Sequence, residues 1–173
     1  STPLYSSAAS DVYKRQREMS YYSLLMGAGF GIIVVAVIII IAWYVLCSYA
    51  HMKALKALGY DKAWLAWIPY GVFYACADVV TGQDEKVKLF GSLEIPAIVF
   101  KLWWIIPVAF LLLPLNATIE NLITLVLDVV FLGCTYAKMY ARLENKQENE
   151  TQAIGCVSGF IQIIAVVKFL MYK

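Results

Sequence analysis

SYYSLLMGAGFGIIVVAVIIIIAWYVLCSYA, residues 20–50, contains no charged side chain, and its centre is almost pure Ile, Val and Ala. About 20 apolar residues cross a bilayer as a helix, so this run is long enough with residues to spare. It sets the solvent in which the rest of the chain is read: the pattern predicts an integral membrane protein. The best-matched window is 24–44, about 31 Å at 1.5 Å per residue. Tyr21 and Tyr22 flank one end and Trp43, Tyr44 and Tyr49 the other, as an interfacial aromatic belt does. The run is too long for a signal peptide, and no cleavage pattern follows it.

Composition agrees. Hydrophobic residues make up 62% and charged residues 15%, against roughly 45–50% and 25% in soluble domains. The net charge of +2 gives no footprint for nucleic acid. Cys47, Cys76, Cys134 and Cys156 form no Cys-x-x-Cys pair and lie in apolar stretches, so they read as small buried hydrophobes. No metal or cofactor is expected.

Residues 6–16, SSAASDVYKRQ, are what a common transposase adaptor used in sequencing-library preparation encodes. Residues 1–16 are therefore set aside from fold reasoning as a disordered, adaptor-derived tail. Shotgun assembly implies a bacterial source. Met19 is a candidate start, and residues 19–173 read as a single membrane domain.

Three further spans are expected at about 95–115, 122–140 and 153–171, with residues 116–121 as a tight polar turn. Between the first and second spans lies an awkward stretch, 51–80. Met52, Leu55 and Leu58 recur every three residues with Lys53 and Lys56 between, which suits an interfacial amphipathic helix ending at Gly59. Asp61 reads as an N-cap for a helix through Trp64 and Trp67. Residues 63–80 are apolar but short, interrupted by Pro69 and Gly71, and hold Asp78.

Charge decides whether 63–80 crosses. If it does not, Lys53, Lys56, Lys62, Lys86, Lys88, Lys138, Arg142 and Lys146 all share one side. If it does, they divide between the two. Cytoplasmic loops carry the excess of Lys and Arg. The prediction is an all-α polytopic bundle in the bacterial cytoplasmic membrane. It has an outside N-terminus, four spans, a re-entrant or interfacial segment on the cytoplasmic side, and an outside C-terminus.

Asp128 is the sharpest functional candidate, because an ionisable group within a span costs about 2.5–3.5 kcal/mol and normally faces a partner or a wet cavity. Thr124 and Thr135 fall within about 40° of it around a regular helix, making a polar stripe suited to a proton or cation site. Lys101 is a candidate partner. Its backbone lies roughly 9 Å from Asp128 in depth, so snorkelling or a contact with Glu94 is favoured. Gly27 and Gly31, and Gly155 and Gly159, are spaced for close helix approach, within the chain or in a homodimer. There is no His-Glu-x-x-His helix and no Gly-x-Ser-x-Gly elbow. His51, the one histidine, reads as interfacial, so no Ser–His dyad is expected and the chain is read as non-enzymatic.

Residues 53–59, KALKALG, followed by 63–70, AWLAWIPY, resemble a family of small bacterial membrane proteins of unknown function. Its shared stretch is a helix end, then Trp-x-x-x-Ile-Pro-x-Tyr-Asn, then a short helix. Trp64, Ile68 and Pro69 match, with Trp67 inside the motif; the Tyr and Asn positions fall on Gly71 and Val72. The resemblance implies a non-crossing segment here and no activity. The leading expectation is a scaffold or accessory subunit whose partners are the bilayer and a membrane protein or second copy. The alternative is a small transporter or channel component using Asp128.

Overall fold

The computed structural model describes residues 4–90, 93–110, 112 and 116–172. The chain divides into two compact units, Ser1–Tyr44 and Val45–Lys173. Helix α1, Leu4–Ala57, runs through both. Two expectations are corrected by it. Residues 4–16 are helical, not disordered, and the stretch from 51 is the last turns of α1, not a separate helix. No Gly or Pro lies between 32 and 58, so nothing interrupts the ladder of backbone hydrogen bonds. In the first unit every residue from Ile32 to Ile41 is exposed, the isoleucines among them by 56–71%.

The end of α1 is built as its sequence foretells. Tyr60 N–H donates to Leu55 O and Gly59 N–H to Lys56 O, with Gly59 at φ +74°. This is a Schellman motif, whose left-handed residue favours glycine. Asp61 is not the cap expected. Lys62 precedes a short 3-10 turn, Ala63–Trp67, with no side-chain cap. Pro69 and Tyr70 (φ +63°) then reverse the chain into α2, Gly71–Thr81. A Cβ on Gly71 would sit 2.9 Å from Ile68 Cβ, so the reversal needs glycine. Helix α2 is about 17 Å long, half of a hydrocarbon core.

A hairpin follows, β1 Lys86–Leu89 paired antiparallel with β2 Leu93–Pro96, Lys88 opposite Glu94. Val87 and Leu89 are buried and Lys86 and Lys88 exposed, the period-two pattern of a one-sided strand. The expected span 95–115 is corrected here. Its start is β2, and its helical part is broken into α3, Ala97–Leu102, and α4, Ile105–Phe110. Pro107 has no N–H for the Trp103 carbonyl and its ring would meet that carbonyl, so the helix stops before Trp103 and restarts with Pro107 in its first turn.

Asn116 does not belong to a turn. Its side chain accepts the Thr118 N–H at 2.9 Å and caps α5, Ala117–Leu127. A π-helical turn, Asp128–Leu132, leads without a break into α6, Gly133–Glu144. The continuous 28-residue run is about 42 Å long. Arg142 donates to Val79 O (2.6 Å) and Val80 O (2.8 Å), fixing the end of α6 beside the end of α2. Higher up, Phe131 stacks on Trp103 at 5.8 Å and meets Phe100 at 6.1 Å. Helices α3 and α4 therefore lie alongside the run as two short pieces rather than one continuous helix.

The last expected span is overturned. Helix α7, Glu148–Phe160, runs antiparallel to α6: Gly155 abuts Gly133 and Ala137, and Gly159 abuts Asp128 and Gly133. Ile161 then leaves the helical region (φ −118°, ψ 85°), and α8, Gln162–Met171, turns back. Lys168 Nζ reaches Glu144 at 2.7 Å and lies 4.4 Å over the Tyr140 ring. Lys53 Nζ holds Leu170 O at 2.8 Å. The α7–α8 pair is a helical hairpin whose two ends lie together at the end of α6. The buried core of this unit centres on Leu55, Phe100, Tyr136, Tyr140 and Phe169.

Candidate functional site

Of the residues grouped with Asp128, Lys101 and Thr135 are engaged elsewhere. Lys101 is drawn to Asp78, not to Asp128 or Glu94. Its Nζ lies 2.6 Å from Asp78 Oδ1, and Tyr60 donates to Asp78 Oδ2 at 2.7 Å. Glu94 instead pairs across the hairpin with Lys88 at 3.7 Å. Three elements meet at this carboxylate: the exit of α1, helix α2 and helix α3. Burial pushes the Asp78 carboxyl up, but the Lys101 ammonium and the Tyr60 hydroxyl outweigh it and hold the group below its usual value. Burial and the bond to Asp78 push the Tyr60 phenol well up. Each carboxylate oxygen is engaged, so the trio ties α1, α2 and α3 together at one point.

Asp128 is half-buried at the start of the π turn, with no hydrogen-bond partner among the described residues. Its backbone O lies where a side chain on Gly159 would fall. Thr135 is buried and donates to Phe131 O at 2.7 Å. The π turn inserts one extra residue, which sets the phase back by about 100°, so Thr135 no longer shares the face of Asp128. Thr124, on the regular turn before, is half-buried.

His51 is corrected from interfacial to buried, at 7% exposure. Its Nδ1 lies 2.8 Å from Cys47 O, and a carbonyl only accepts, so Nδ1 carries the proton. Nε2 then accepts from the Tyr136 hydroxyl at 2.8 Å. Both ring nitrogens are taken, which leaves no free base for a dyad. The Phe169 ring packs edge-on at 5.3 Å.

Gly155 and Gly159 face Gly133 within the chain, whereas Gly27 and Gly31 have nothing within 4 Å of an added Cβ. Trp64, Trp67 and Pro69 are exposed on the segment between α1 and α2; Trp67 Nε1 donates to Met52 Sδ at 3.2 Å. No group of three or more His, Cys, Asp or Glu side chains suited to a metal ion occurs among the described residues. Sequence reasoning missed the Asp78–Lys101 pair because it set Lys101 against Asp128 and Glu94 only, and nothing local shows that α2 packs beside α3.

These features define an all-α helical protein in which, among the described residues, two helices, Val12–Ala57 and Ala117–Glu144, are long and apolar enough to cross a membrane. Comparison with protein-family profiles, curated proteins and solved structures gives no match.

Proposed function

We propose a non-enzymatic integral protein of a bacterial cytoplasmic membrane, acting as a scaffold or accessory subunit. The observation that carries it is the uncovered apolar helix at 32–41, whose side chains need lipid or another membrane helix around them. The polar groups of the second unit support a static role, since Asp78, Lys101, Tyr60, His51 and Tyr136 are mutually satisfied.

The topology that fits has three crossings: 24–44, the stretch that begins with α3 and α4, and the run 117–144. The 63–81 segment and the α7–α8 hairpin enter from the cytoplasmic face without crossing. Broken backbone at membrane depth is tolerated where protein covers it. Returning α8 places Lys168 with the other basic residues, so charge polarity is stronger than with four spans. In a variant freed of native cysteines, Gln83→Cys and Met171→Cys are protected from an impermeant maleimide in intact cells and react after lysis. Asn121→Cys reacts from outside. Reaction of Met171→Cys in intact cells would restore a fourth crossing.

One observation favours the second reading, a transporter or channel component: the Asp128 carboxylate, without a hydrogen-bond partner among the described residues, stands at a π turn, a distortion frequent at functional sites. Asp128→Asn separates the two. Under the scaffold reading, proteoliposomes show the same proton and cation leak before and after substitution. A pH-dependent flux abolished by Asp128→Asn establishes transport.

A further inference from the structure

Strand β1 points Lys86 and Lys88 outward from one face, toward the corner where α6 gives way to α7. Between them lies a cleft of about 260 Å³, lined by Lys86, Lys88, Lys138 and Arg142 against Asp84 and Glu148. Cations therefore outnumber carboxylates on its walls. Lys138 is 8% exposed and gives one of its three donors to Glu148 at 2.6 Å. Arg142 spends one N–H of each terminal nitrogen on Val79 and Val80 carbonyls and keeps its remaining donors. Lys86 has no ion pair among the described residues, and the Lys88–Glu94 pair is loose and open to solvent. The protein thus holds two fixed cations at the back of the cleft and two solvent-exposed ones at its lip.

We propose that this cleft binds the phosphate group of an anionic phospholipid, an inference that rests on the membrane reading above. The cleft is smaller than the roughly 300–1,000 Å³ of pockets for larger ligands, which suits a headgroup. It lies at the end of α6, level with the returning end of α8, where cytoplasmic headgroups sit in the proposed topology. Basic pockets at that level attract anionic lipid. Asp84, exposed at the lip, tempers the field.

The test is native mass spectrometry of the full chain in detergent, titrated with dioleoylphosphatidylglycerol or dioleoylphosphatidylcholine. The phosphatidylglycerol adduct is retained preferentially. Each lysine beside an anionic headgroup is worth about fivefold, so Lys86→Gln with Lys88→Gln weakens retention about thirtyfold. Asp84→Asn strengthens it, which shows that the cleft rather than folding is being read. Millimolar inorganic phosphate leaves the adduct in place. Equal retention of the two lipids, an unaltered preference in the lysine variant, or displacement by inorganic phosphate overturns the proposal; displacement would mark a free-anion site. Carbonate extraction of cell membranes reads the membrane assignment separately: release of the chain overturns that assignment whatever the lipid titration gives.

Discussion

Gly155→Val lowers stability by about 3 kcal/mol, at the upper end of overpacking costs. A Cβ at this position would lie 2.6 Å from Ala137 N and from Gly133 O. These are backbone atoms of the facing helix and cannot rotate away, so α6 and α7 must part. Gly155→Ala gives a sharper test because two effects oppose. Helix propensity favours alanine by about 1 kcal/mol. The clash costs about 1–3 kcal/mol and wins, since the Cβ itself is the offending atom. At Gly27, where nothing lies within 4 Å, only propensity acts and alanine is neutral or stabilising. Thermal melting in detergent, followed by far-ultraviolet circular dichroism, should drop on the order of 10 °C for Gly155→Val. A melt within 2 °C of the parent would show that α6 and α7 do not pack backbone to backbone. If Gly27→Val leaves the melt alone but removes a dimer, the two glycine pairs serve different contacts.

The parts of the fold legible in the sequence were those with a local cause. The charge-free run at 20–50, the end of α1 at Gly59 and the interruption at Pro69 each depend on neighbouring residues only. The β1–β2 hairpin also had a local signal, since Lys86-Val87-Lys88-Leu89 alternates with period two, but the apolar stretch after it drew the reading toward a span. Pro107 carries a local signal for the break at Trp103, since it has no N–H for that carbonyl. The reversal at Ile161 has no Gly, Pro or charge within the break, and hydropathy could not show it. What reveals it is long-range: Lys168 on Glu144 and Lys53 on Leu170 O, pairings between residues that sequence spacing does not relate. The grouping around Asp128 was altered by a local distortion instead. Asp128, Thr124 and Thr135 were grouped by a regular 100° step, and the π turn breaks that step. Lys101 was compared with Asp128 and Glu94, while its partner lay on a helix whose position only the fold supplies.

Lys101→Met costs about 2 kcal/mol, and the loss is largely recovered by adding Asp78→Asn. Removing one member of a fully buried pair costs about 3–5 kcal/mol, because the other charge is stranded. Here the side chains are 17% and 22% exposed, so water relieves part of that penalty. In the single variant Asp78 keeps only the Tyr60 hydroxyl. In the double variant no charge is left over, and the methionine fills the volume of the lysine stem. A double-mutant cycle therefore returns a coupling above about 1 kcal/mol, as contacting charged groups do. The pH dependence has a definite sign. The Asp78 carboxyl is held below its ordinary value of 3.8 in the folded chain. Its contribution is fully present above that value and is lost as pH falls below it through the folded value. The stability gap between parent and Asp78→Asn is thus flat from pH 7 to about 5 and narrows below about 4. A gap that stays constant down to pH 3, or a cycle with no coupling, would mean that α1, α2 and α3 are held together by their apolar contacts alone. The trio would then be a consequence of the packing at Phe100 and Trp103 rather than one of its causes.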